Sequence, residues 1–131
     1  MTFIRTFGRS LKHAVGGILE VARSEQSFRL QVLISVLVIG LAWLLPLNTW
    51  ERILVLLLCS AVMVLEILNS IMERLVDALQ PRLGLMAGEV KDMMAGAVFV
   101  TALLAGVVGI MIFYSHFHLL ICAILETCGG R

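Results

Sequence analysis

The sequence predicts an all-α integral membrane protein, with three transmembrane helices and an N-terminal amphipathic surface helix. Two observations carry that reading: the bulk composition and the placement of charge-free runs. The 131 residues are 60% apolar and only 15% charged, with a mean hydropathy of +1.03. A soluble domain of this length has too little interior to hide so many apolar side chains. The bilayer must therefore solvate most of the surface. The length suits one domain, residues 1–131. A net charge of +1 gives no electrostatic footprint for a nucleic acid partner. The three cysteines, Cys59, Cys122 and Cys128, have no metal-like spacing, and the first two read as small packing or lipid-facing residues.

The N-terminal segment places Phe3, Ile4, Phe7, Leu11, Val15, Ile18 and Leu19 at helical spacing, with Arg5, Arg9 and Lys12 between them. Its apolar residues are dispersed, unlike the bunched core of a signal peptide, so it reads as a helix lying on the membrane surface. Gly16-Gly17 offers a hinge within it. Between Arg29 and Glu51 stand twenty-one uncharged residues, enough to cross about 30 Å of hydrocarbon. Pro46 and Asn48 mark the exit, where Trp43 and Trp50 suit the interface. The second span begins near Trp50 and runs through Asp77. The third starts at Lys91-Asp92 and is expected to end near Tyr114 to His118, leaving residues 119–131 as a short interfacial tail. His116 and His118 then lie at the outer interface.

Basic residues are concentrated before Arg29 and across a predicted 78–90 loop, whereas the connection between the first two spans has only Arg52. The positive-inside rule places the N-terminus and that loop in the cytoplasm and the C-terminus outside. On span three, Ala102 with Gly106 and Ala105 with Gly109 are small-residue pairs that permit close helix approach. Three helices scarcely enclose a polar stripe and still present such a seam, so an oligomer is expected.

The polar stripe follows thirteen uncharged residues, Ile53 to Leu65. At about 100° per residue, Glu66, Asn69, Ser70, Glu73 and Asp77 fall within roughly a 100° arc of one helix face. Counted from Trp50, Glu66 lies roughly 24 Å along the helix axis, just inside the cytoplasmic boundary, at the depth of a lipid headgroup oxygen. Glu73 lies about 10 Å further, where a water-borne ligand would be. Glu25, Lys91 and Asp92 belong to the same level. A base near the lipid, carboxylates for a divalent cation and a lysine for an anion are the parts that phosphoryl transfer needs. No GxxxxGK[ST] loop is present, so a nucleotide site would not be of the P-loop type. Taken singly, Glu73 and Asp77 also read as solvated helix-end charges, Glu25 as a loop charge, and Lys91-Asp92 as a helix start. Glu66 does not, because a carboxylate at that depth costs a few kcal/mol and marks a functional site.

These residues together resemble the small prokaryotic integral-membrane diacylglycerol kinases, a family that includes undecaprenol kinases. The resemblance runs over roughly residues 5 to 117. It is carried by His13-Ala14-x-x-Gly17, Glu25-x-x-Phe28-Arg29, Glu66-Ile67-Leu68-Asn69-Ser70-x-x-Glu73-x-x-x-Asp77 and Lys91-Asp92-Met93-x-Ala95-Gly96-Ala97-Val98. It implies a homotrimeric bundle whose active sites are shared between neighbouring subunits, in the bacterial cytoplasmic (inner) membrane. By the same resemblance, Glu66 is the general base on the lipid hydroxyl, and Glu25 and Glu73 hold Mg2+ against the phosphates of ATP. Lys91 binds phosphate, with Asp92 beside it in the nucleotide site. Asn69 is an active-site amide near Glu66, Arg29 borders the lipid, and His13 takes a nucleotide-side position that is often tyrosine. The loop before Lys91 departs from the family pattern, reading Arg82-Leu83-Gly84 where relatives often have Glu-Tyr-His.

The expected function is thus an ATP- and Mg2+-dependent lipid kinase that makes phosphatidic acid from diacylglycerol, with undecaprenol as the alternative acceptor. A proton-coupled transporter would use Glu66 but leaves Glu25, Glu73 and Lys91-Asp92 without a role. A non-catalytic assembly subunit would account for the small-residue seam but not for the acidic stripe.

Overall fold

In hydrocarbon an unpaired backbone N–H or C=O finds no water, so a spanning chain has to be helical. The computed structural model describes the backbone of residues 2–84 and 86–129, and the side chains of residues 5–79, 82, 84 and 86–117. Four helices follow one another: α1 (Thr2–Ser24), α2 (Gln26–Leu44), α3 (Thr49–Leu83) and α4 (Met86–Gly129). Three stretches, Gln26–Leu44, Thr49–Leu79 and Met86–Phe117, are long and apolar enough to cross a membrane. The chain is therefore an all-helical, multi-pass membrane protein. Leu37, Leu57 and Ile110 remain 64%, 61% and 69% exposed, as lipid-facing side chains should.

Each break in the helices has a local cause. Glu25 is extended, with φ −103° and ψ 118°, and holds the N-cap position of α2 without capping it through its side chain. Its N–H closes α1 on the Val21 carbonyl at 2.8 Å. At the other end of α2, Leu45 is extended ahead of Pro46, and Leu45 and Leu47 turn inward onto Ala42 and Val55. Asn48 then caps α3: its N–H donates to Glu51 Oε2 at 2.8 Å, and its Oδ1 accepts the Glu51 N–H at 3.0 Å. This is a reciprocal capping box. Beside it, the Arg52 guanidinium lies over the Trp43 ring, 5.3 Å from its centroid. Between α3 and α4 the chain reverses at Gly84, whose φ of +54° is costly for any residue with a Cβ.

Several expected boundaries require correction. The 78–90 loop is absent, because α3 continues to Leu83 and α4 already begins at Met86, not at Lys91. Charge marks where a helix leaves lipid, but a helix ends only where its backbone is diverted, here at Gly84. The apolar stretch of α4 long enough to cross a membrane reaches Phe117, within the expected Tyr114 to His118, while the helix itself continues to Gly129. Gly16-Gly17 does not interrupt α1. The side chains of Phe3, Ile4, His118, Cys122 and Cys128 lie outside the described residues.

α3 is the central element, packing most extensively on α4 and less on α2, while α1 touches α2 and α3. Two polar side-chain contacts bracket the antiparallel α3–α4 pair. Lys91 Nζ meets Asp77 Oδ1 at 2.5 Å at one end, and His116 Nε2 lies 3.4 Å from Glu51 Oε2 at the other. The helix between these contacts is about 38 Å long, somewhat more than the hydrocarbon thickness. Among the described residues the backbones of α2 and α4 stay apart. Between them lies an apolar cavity of about 450 Å³, lined by Gln31, Ile34, Val62, Ala102, Gly106 and Phe113 among others. The small-residue seam therefore faces this space: a methyl added at Gly106 or Gly109 would meet nothing within 4 Å.

Asn48→Ala removes one capping bond of α3 while leaving the packing intact. Its unfolding in detergent, followed by circular dichroism under rising denaturant, should show a loss of about 1 kcal/mol.

Candidate active site

The helical period of α3 turns five polar residues toward one side, and the structure divides them by depth. Glu66 and Ser70 are 5% and 2% exposed, Asn69 and Glu73 are half-buried, and Asp77 is exposed. Ser70 Oγ donates to the Glu66 carbonyl at 3.1 Å, so its hydroxyl is satisfied within the helix. The Glu66 carboxylate looks outward to α2, where Gln31 Nε2 donates to its Oε2 at 3.2 Å. Asn69 Nδ2 donates to Glu73 Oε1 at 3.2 Å, while Asn69 Oδ1 is shielded from solvent with no partner.

The break at Glu25 brings a third carboxylate to this face. Being extended and not engaged as a cap, the Glu25 side chain reaches Arg74, at 3.8 Å from Nη2. The same Nη2 donates to Ser24 Oγ at 2.5 Å. The negative charges of Glu73 and Glu25 both act on Glu66, so the three carboxylates share one electrostatic neighbourhood. Arg74 is the cation paired with Glu25, and Lys91 is engaged by Asp77. Such a surplus of negative charge favours a cationic ligand.

Glu25, Glu66, Asn69 and Glu73 are thus drawn together. Lys91 is tied to Asp77, one turn beyond Glu73, with Asp92 exposed beside it. Arg29 is exposed on the first turn of α2, and His13 is exposed on α1, about 18 Å along the helix axis before Glu25. Neither side chain forms an ion pair with these carboxylates among the described residues. No cluster of three or more His, Cys, Asp or Glu side chains forms a metal cage among those residues. Mg2+ does not require one, since it is commonly held by one or two carboxylates together with substrate phosphates. Glu25 and Glu73 supply that kind of donor.

The sequence reading missed Gln31 and the pairing of Arg74. Gln31 is a lone amide near the start of an apolar span, and such amides bond to neighbouring helices; that was the available signal. Nothing in the sequence distinguishes Arg74 from an ordinary helix-end cation.

The family model for prokaryotic diacylglycerol kinase matches residues 12–113. The chain belongs to the prokaryotic diacylglycerol kinase family. The matched span contains each candidate residue named above, from His13 to Asp92. An undecaprenol kinase of Bacillus subtilis is 33% identical over 110 residues, covering 84% of this chain and 89% of its own. A diacylglycerol kinase of Pseudomonas aeruginosa is 34% identical over 88 residues, covering 67% and 72%. A diacylglycerol kinase of Escherichia coli is 30% identical over 94 residues, covering 72% and 77%. This family member is therefore a membrane-embedded lipid kinase, and its relatives carry the names of two different lipid alcohols.

The burial of Glu66 beside one neutral donor has a measurable consequence. Glu66→Gln removes a buried charge at nearly constant volume, so the unfolding midpoint in detergent should stay the same or rise.

Proposed function

We propose that this protein transfers the γ-phosphoryl group of ATP to the primary hydroxyl of diacylglycerol, giving phosphatidic acid and ADP. The observation that carries the proposal is Glu66, a buried carboxylate facing α2 from a spanning helix, with Glu25 and Glu73 toward the end of the bundle that holds the Gly84 turn. Glu66 takes the hydroxyl proton as the alcohol oxygen bonds to the γ-phosphorus. The bond from that phosphorus to the β,γ-bridging oxygen breaks, and ADP carries the electron pair away. Glu25 and Glu73 would hold Mg2+, which when bound neutralises phosphate charge. Lys91, released from Asp77, adds a cation for the phosphates, with Asp92 and His13 on the nucleotide side. Asn69 orients Glu73 through their hydrogen bond, and Arg29 borders the lipid headgroup.

In this reading α1 lies on the cytoplasmic membrane surface, where its basic residues meet headgroups. The N-terminus and the Gly84 turn face the cytoplasm. The chain works as a homotrimer in the bacterial inner membrane, with sites shared between subunits. The seam along Ala102, Ala105, Gly106 and Gly109, which is not closed within the chain, supports the assembly. Undecaprenol is the second reading for the acceptor. It is favoured by the extent to which the Bacillus subtilis relative covers this chain.

Purified protein in mixed micelles with labelled ATP, given each lipid alcohol in turn, tests both readings. Label should enter diacylglycerol; label in undecaprenol alone replaces the acceptor, and label in neither rejects the kinase. Under the same conditions Glu66→Gln should lower turnover about 10²- to 10⁴-fold, the contribution of a general base. Turnover close to wild type would remove Glu66 from that role.

Glu25→Ala and Glu73→Ala should each raise the magnesium concentration needed for half-maximal rate, with little change in the apparent constant for lipid. Magnesium titrations at fixed ATP measure this. A change in the lipid constant alone would contradict metal binding by these residues.

A further inference from the structure

The acidic stripe leaves one contact unexplained, the amide that α2 delivers to Glu66. We propose that Gln31 is a positioning residue for the transfer: by holding Oε2 of Glu66, it leaves Oε1 to receive the proton of the alcohol. This rests on the reading of Glu66 as the base and goes beyond it by assigning the group that aims that base.

Gln31 Nε2 donates to Glu66 Oε2 at 3.2 Å, across two helices and thirty-five positions of sequence. It is the single hydrogen bond of the Glu66 carboxylate among the described residues. The neighbouring polar groups are engaged elsewhere: Ser70 Oγ bonds the Glu66 carbonyl, and Asn69 Nδ2 bonds Glu73. A carboxylate on a flexible two-carbon stem has several rotamers, and an alcohol offers only one proton. Tying one oxygen selects the rotamer and leaves the other oxygen's lone pairs open. A neutral amide suits the purpose, since a lysine or arginine in its place would hold the negative charge far more firmly and weaken the base.

Packing alone does not account for Gln31. Its Oε1 is shielded from solvent and has no partner, and an orphaned buried acceptor offsets much of what the Glu66 bond contributes. An apolar side chain would fill the same space without that cost, because the rest of the cavity beside Gln31 is almost wholly apolar. The amide also stands where the cavity approaches Glu66. It is placed to fix the carboxylate relative to a lipid alcohol that enters from the cavity between α2 and α4.

The test compares Gln31→Met and Gln31→Glu with wild type and Glu66→Gln in mixed micelles. Gln31→Met keeps length and volume but loses the donor. Its kcat should fall about 10- to 100-fold, while KM for lipid and for Mg·ATP changes by less than about twofold. Gln31→Glu faces Glu66 with a second carboxylate. A proton shared between the two should move the acid limb of its kcat–pH profile to higher pH. The other charges about Glu66, namely Glu73 on α3 and Glu25 with Arg74 on it, are the same in both variants, as is the Asp77–Lys91 pair. Two results overturn the proposal: wild-type kcat in Gln31→Met, or a raised lipid KM with unchanged kcat. A pH profile unmoved in Gln31→Glu also overturns it. If Glu66→Gln itself turns over normally, the underlying reading of the base fails instead, so the two failures are separable.

Discussion

Hydrocarbon offers no hydrogen-bond partners, and the rest of this structure follows from that. Every break in the helices has to sit where water or headgroups can reach the backbone. The breaks at Glu25 and Gly84 lie at one end of the bundle, and the Leu45–Asn48 connection lies at the other. The polar side chains that a membrane cannot hold alone collect at the first end. There a non-helical residue, a polar turn of α3 and the start of α4 converge. The site is the part of the bundle where helical regularity is allowed to lapse.

Much of the fold was legible because lipid imposes simple patterns. Charge-free runs of span length revealed α2 and α4, a thirteen-residue run leading into a polar stripe revealed α3, and Pro46 with Asn48 marked the first hairpin. Helix ends were less legible, as the 78–90 region shows. Its charges signal water, yet Ala78, Leu79, Met86 and Ala87 are sound helix residues, and the chain stays helical on both sides of Gly84. Within the site, the 3.6-residue period exposed Glu66, Asn69 and Glu73 as one face. It could not reveal Gln31 or the Glu25–Arg74 pairing, because those contacts depend on how α2 and the end of α1 pack against α3. Periodicity orders residues along one helix and is silent about its neighbours.

The two cations near the site are both occupied. Arg74 sits on Glu25 and Lys91 on Asp77. Both pairs are substantially exposed, so each is held weakly. Their partners can be exchanged at small cost when a metal ion or a phosphate approaches. By contrast, the Gln31–Glu66 contact is deeper and neutral on one side, and a passing ion does not compete for it. Loosely paired charges at the rim with a firmly placed carboxylate beneath them suit a reaction that admits ligands from water and acts on a group anchored in lipid.

The polar contacts at the two ends of α3–α4 make the bundle a ruler. Asp77–Lys91 and Glu51–His116 need polar surroundings, and the rigid helices between them fix their separation. A bilayer much thicker than that separation would draw one pair into hydrocarbon; a much thinner one would expose apolar side chains to water. Either mismatch is relieved by tilt or by local deformation of the lipid. Tilt changes the depth of Glu66, so membrane thickness becomes a variable that acts on the distance between this buried carboxylate and the headgroup layer.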